Sequence, residues 1–160
     1  MSFHERPRFP RGFRCASRNC GLKPDAKDLA LFVSEVDESD GSIALYRPEI
    51  AVLTNISLDH KEMAELRQLF AGFLGASRKA VLNLDDPETR ALAGLVSADK
   101  CVGYGFDSPG AALMGRNLEL LPDGVAFTVK ADEERVPVRL HVPGRHNASN
   151  ALAALAAARA

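Results

Sequence analysis

Tryptophan is missing from this 160-residue chain, and tyrosine occurs only twice. Cysteine occurs three times, at Cys15, Cys20 and Cys101. An odd count of three with no apolar leader segment does not make a disulfide scaffold and points to a reducing, cytoplasmic compartment. No second Cys/His pair follows Cys15 and Cys20 at zinc spacing, so the cysteines read as free thiols. Long apolar runs are also lacking, which excludes a membrane-spanning helix. Net charge is only −1, so nothing biases the chain as a whole toward nucleic acid. None of the six lysines is followed by Ser or Thr, so these 160 residues hold no Walker-type phosphate loop.

What is present is an ordinary globular balance, 46% apolar and 26% charged, enough for one domain to bury a core without staples. The charge is unevenly spread. Residues 1–27 carry seven Lys/Arg against two Asp/Glu, and the remainder carries 13 against 19. Pro7, Pro10 and Pro24 break this basic head, and no apolar periodicity runs through it. Residues 1–27 therefore read as a disordered or non-native head, and residues 28–160 as the folded domain.

From residue 28 the pattern becomes regular. Short apolar runs at 29–33, 50–54, 79–84 and 101–104 fit strands buried on both faces. Between them, Met63, Leu66, Leu69, Phe70, Phe73 and Leu74 recur at helical spacing over residues 61–74. Asp85-Asp86-Pro87 opens a second helix, with an acid at the cap and proline at the first helical position. This alternation is that of an open parallel α/β sheet, whose ligands bind outside the carboxyl ends of the strands. After Gly105 the rhythm changes. Stretches 113–121, 124–131 and 135–142 are joined by short turns and must pair antiparallel, as a small three-stranded sheet. An alanine-rich helix over 147–160 closes the chain, with Asn147 as its expected N-cap.

A few residues could carry chemistry. Glu35 ends the first apolar run and opens an acidic turn, whose carboxylates repel one another unless solvated or bound to a cation. His60 follows Asp59 after the second run. A carboxylate and an imidazole on one sheet edge could hold Mg²⁺ beside phosphates, although imidazole is an unusual ligand for it. Asn147 and Asn150 lie three apart on the last helix, and an asparagine amide matches the N6/N7 edge of adenine. From the residues alone, a solvated loop, an idle histidine and a plain helix cap fit equally well.

Taken together, four ordered segments resemble the central domain of the Mur ligases. They are Glu35-Val36-Asp37-Glu38-Ser39-Asp40-Gly41-Ser42, the run from Pro48 to Asp59-His60, Val81-Leu82-Asn83-Leu84-Asp85-Asp86-Pro87, and Gly144-Arg145-His146-Asn147-Ala148-Ser149-Asn150. The match is nearest to the branch that joins L-alanine to UDP-N-acetylmuramate, and it covers residues 29–160. The resemblance implies a partial P-loop-related parallel sheet with flanking helices. It implies an ATP-dependent carboxylate–amine ligase of peptidoglycan precursor synthesis that works through an acyl phosphate. Its cofactors would be ATP and Mg²⁺, and the enzyme's partners a UDP-muramoyl-type carboxylate and an amino acid, with neither nucleic acid nor membrane. By the same resemblance, Glu35 and His60 would ligate Mg²⁺ and Asn147 and Asn150 would read adenine, with Arg145 and His146 beside them. Without a phosphate loop the isolated chain is expected to be inactive. Two other expectations stand beside this one: a non-catalytic nucleotide-binding or regulatory domain, and a ligase of the same fold acting on folate-glutamate or an amino-acid polymer.

Overall fold

The computed structural model describes residues 32–36, 41–57 and 62–160. The chain divides into two units, Met1–Asp37 and Glu38–Ala160, and the architecture described here is that of the second. The basic head and His60 lie outside the described residues. So does most of the run at 29–33. Phe32 and Val33, its described part, are exposed and without regular structure, so they are not the doubly buried strand expected of them. An apolar run specifies burial only where neighbouring strands accept it.

Three parallel strands form where the apolar runs lie, β1 (Ile50–Leu53), β2 (Lys79–Asn83) and β3 (Cys101–Gly105), but β1, at the sheet's edge, leaves Val52 exposed and is not buried on both faces as expected. Their registers align Ala51 with Ala80 and Leu82 with Gly103. Helix α1 (Met63–Ala76) crosses from β1 to β2 and buries Leu66, Phe70, Phe73 and Leu74. It ends at Ser77, whose hydroxyl donates to the Leu74 carbonyl at 2.8 Å. Helix α2 (Pro87–Ala93) starts as the sequence predicts: the Asp86 carboxylate accepts from the Thr89 amide at 2.9 Å, and Pro87 follows the cap. Arg67 on α1 grips Glu88 on α2 through two bonds, of 2.6 and 2.8 Å, and these hold the Glu88 carboxyl below its usual range.

The antiparallel part consists of β4 (Leu113–Leu121), β5 (Gly124–Ala131) and β6 (Glu134–Leu140). It is continuous with the parallel part. The start of β4 pairs parallel with the end of β3, Tyr104 beside Leu113 and Gly105 beside Met114, which gives one six-stranded sheet in the order β1-β2-β3-β4-β5-β6. Because β4 starts level with the carboxyl end of β3, the antiparallel strands extend beyond that edge.

Helix α3 (Arg145–Arg159) covers one face of this sheet. Ala148, Leu152, Ala153 and Ala156 are its buried residues, and the three alanines let it lie close to Val125, Phe127, Val129 and Ala131 of β5. Phe106 and Phe127 meet edge-on beneath it, with ring centres 5.4 Å apart. The helix begins two residues before the expected start. Gly144, at φ 101°, is the N-cap, and Asn147 already lies inside the first turn. An L side chain rarely adopts that φ, which fixes the boundary at the glycine.

Candidate functional site

The residues at the carboxyl ends of β2 and β3 meet the first turn of α3. Residue by residue, this edge is tied together by side chains that follow the strands. Asn83, the last residue of β2, donates its amide to the Thr54 carbonyl after β1 at 2.8 Å. Its own amide oxygen accepts from the Asp85 backbone at 3.0 Å. Thr89, fully buried on α2, donates its hydroxyl to the Asn83 carbonyl. One asparagine thus fixes both strand ends and the start of the loop between β2 and α2.

Asp85 is the centre of the next connection. Its carboxylate accepts from the Phe106 amide at 2.7 Å, the Asp107 amide at 2.9 Å and the Ser108 hydroxyl at 2.9 Å. This arrangement needs glycine at position 105, where a Cβ would run into the Asp85 carboxylate. Arg145, the first residue of α3, reaches the same place. Its guanidinium lies 2.5 Å from Asp107, 3.8 Å from Asp85 and 5.2 Å from the centre of the Phe106 ring.

Asn147 is half-buried, and its amide nitrogen donates to the Pro143 carbonyl at 2.7 Å, closing the Pro143-Gly144 turn. Among the described residues no donor occupies its amide oxygen. Asn150, one turn on, is exposed, and among the described residues no hydrogen bond occupies its amide. A spacing of three puts both on one face of α3. His146 is exposed, with its ring folded back over the open side of Gly144.

Beneath this turn lies Tyr104 of β3, with no exposed surface, whose hydroxyl meets no partner in hydrogen-bonding geometry among the described residues. Burial pushes its pKa up to about 12, and the carboxylates of Asp85 and Asp86 add to the push. Interaction with the Ser149 hydroxyl on α3 pulls the other way, more than either carboxylate pushes.

Glu35 is described and exposed. His60, the other residue expected at the metal, lies outside the described residues. The two residues expected to read adenine are compatible with that group: their amides share one helical face, Asn147 half-engaged at Pro143 and Asn150 exposed. Cys101 is half-buried and free, and burial raises its thiol pKa, which suits an inert thiol.

Sequence reasoning missed Asp85, Arg145 as a partner of Asp107, and Tyr104. The Asp85-Asp86 doublet held one signal: a helix needs only one acid at its cap, so the second was free for other work.

Residues 22–158 match the Mur ligase middle domain family. A UDP-N-acetylmuramate–L-alanine ligase from Mycolicibacterium vanbaalenii is 40% identical over 141 residues, covering 80% of this chain and 29% of that protein. One of the same name from Nocardia farcinica is 41% identical over 152 residues, covering 81% and 30%. In three dimensions, UDP-N-acetylmuramate–alanine ligase from Thermotoga maritima superposes with a TM-score of 0.66 at 23% identity, over 79% of this chain and 29% of that one. A murein peptide ligase from Psychrobacter arcticus gives 0.67 at 22%, over 88% and 32%. The two solved structures speak for the fold alone. This chain spans about 30% of the length of the sequence relatives it matches. With the family match running over most of its length, the chain belongs to the Mur ligases, as their middle domain.

Proposed function

We propose that this chain provides the adenine-facing part of an ATP-dependent carboxylate–amine ligase acting on a UDP-muramoyl-type substrate and an amino acid. One observation carries the reading: Asn147 and Asn150 share one face of the first turns of α3, where that helix meets the carboxyl ends of β2 and β3. Asn150 offers donor and acceptor side by side to the N6/N7 edge of a purine, and Asn147 adds an acceptor held steady by its bond to Pro143. ATP, when bound, supplies the phosphoryl group that activates a carboxylate for attack by an amine. Glu35 and His60 are the residues we assign to the accompanying Mg²⁺, from the family pattern and the chemistry of their side chains. Within these 160 residues no lysine precedes Ser or Thr, so phosphate binding falls to residues elsewhere in the enzyme.

The test is titration of the purified chain with AMP, read by backbone amide shifts. Shifts concentrated on His146–Ala151 are expected. Asn150→Ala is expected to weaken binding about tenfold, the loss of one bidentate base contact. Saturating AMP that leaves α3 unperturbed would refute the assignment. The same chain is expected to release no phosphate from ATP, and steady turnover in a phosphate-release assay would contradict the division of labour proposed here.

The absence of a Lys-Ser or Lys-Thr pair within these residues favours one alternative, a nucleotide-binding domain without catalysis. The discriminating measurement is complementation: addition of the missing parts of a Mur ligase in trans restores amide formation in the first case only.

A further inference from the structure

We infer that Arg145 is a positioning residue: held by Asp107 and Asp85 over the face of Phe106, its guanidinium fixes the first turn of α3, and with it both asparagine amides, against the ends of β2 and β3. The inference rests on the reading of Asn147 and Asn150 given above.

Three features support it. First, the guanidinium of this half-exposed side chain is tied toward the sheet: its Nη2 pairs with Asp107 at 2.5 Å and lies 3.8 Å from Asp85, and the group stands over the Phe106 ring at 5.2 Å. Second, its anchor is rigid. Asp85 accepts three hydrogen bonds from residues 106–108, which locks the loop that carries Asp107. Third, this helix start is weakly capped. Its cap is a glycine without a side-chain bond, its first turn contains no acid, and the bond Asn147 makes, to the Pro143 carbonyl at 2.7 Å, stays within the turn itself and does not tie it to the sheet. A helix start that lacks a side-chain cap frays unless something else holds it. Arg145 supplies that hold from one position ahead of His146 and two ahead of Asn147. A planar fork that stacks on a ring suits this task, and an ammonium does not.

The experiment compares the whole 160-residue chain with Arg145→Ala and Arg145→Lys by amide hydrogen exchange and by AMP against IMP affinity. The lysine variant retains the charge and loses the stack, so it should fall between the other two. Exchange at His146–Ser149 is expected to quicken at least about threefold in Arg145→Ala, with amides in β2 and β5 unchanged. Preference for AMP over IMP is expected to fall toward unity, because only a steady amide tells an amino group from a carbonyl. A helix that merely loses surface charge would change neither. Unaltered exchange at His146–Ser149 overturns the inference, and so does quickened exchange with an unchanged AMP preference. Failure of the wild-type chain to distinguish AMP from IMP refutes the adenine reading instead, and the exchange result still decides whether Arg145 holds the helix.

Discussion

Among the described residues the hydroxyl of Tyr104 has no acceptor in hydrogen-bonding geometry, and it has no exposed surface, a combination that costs about 1–3 kcal/mol wherever it occurs. Tyr104→Phe removes the unpaired group and leaves the ring packed, so stability should rise. A gain of roughly 2–6 °C in the melting temperature is expected. A fall would show that the hydroxyl is satisfied, for instance by a bond to Ser149. The same residue sets a pH dependence. Its pKa is about 12 in the fold against 10.0 ordinarily, so the fold favours the neutral phenol. Below pH 10.0 this has no cost, because the unfolded chain is protonated too. Between pH 10.0 and about 12 the unfolded chain gives up its proton first, and stability falls as pH rises. Wild type should lose stability across that window, and Tyr104→Phe should lose less.

Among the elements, the hairpin between β5 and β6 has one avoidable strain. Ala131 pairs with Glu134, which leaves Asp132-Glu133 as a two-residue turn, and Asp132 sits at φ 52°. A positive φ at the first central position is what glycine accommodates in such hairpins. Asp132→Gly should therefore stabilise the domain by about 0.5 kcal/mol, once the entropic cost of glycine is subtracted. The ion pair it gives up, Arg159–Asp132 at 3.6 Å, is exposed and worth little. A higher urea midpoint at unchanged slope is the expected reading, and a lower midpoint would mean the ion pair outweighs the backbone.

The neighbouring edge strand carries Pro137 in its middle, opposite Thr128. A proline there removes a donor and discourages pairing with another sheet. These elements differ in how readable they were. The boundaries of β4 and β5 and the Asp86 cap follow from local chemistry: alternation, a turn dipeptide, an acid three residues before an amide. The start of α3 did not, because a glycine cap leaves no polar signature and Asn147 imitated one. The bulge in β4, where the register shifts between Arg116 and Glu119 with Asn117 at φ 52°, had no sequence signal either. Nothing within β4 alone marks where its partner loses step.

At the scale of the molecule, sequence showed the kinds of layer but not how they join. Three parallel and three antiparallel strands could have formed two sheets, and the pairing of Tyr104 and Gly105 with Leu113 and Met114 makes them one. The candidate site has the same character. Asn147 and Asn150 were visible as a pair because they are close in sequence. The hold of Asp85 on Asp107 and of Arg145 on Asp107 spans 22 and 38 residues and becomes visible only in the fold. One element makes the joined sheet a single cooperative body. Helix α3 packs on strands of both parts, and Leu152, fully buried at its middle, belongs to the same core as Val81 of the parallel strands and Val125 of the antiparallel ones. Leu152→Ala would open a cavity under that helix at a cost of about 3–5 kcal/mol, a large part of the stability a domain of this size possesses. The loss should appear as one transition moved down by roughly 10 °C or more, or as a chain unfolded at room temperature. Leu95→Ala, at a position 75% exposed, should leave the melt within a degree or two by the same reasoning. If Leu152→Ala instead splits the melt into two separate transitions, the parallel and antiparallel parts fold independently, and α3 does not couple them.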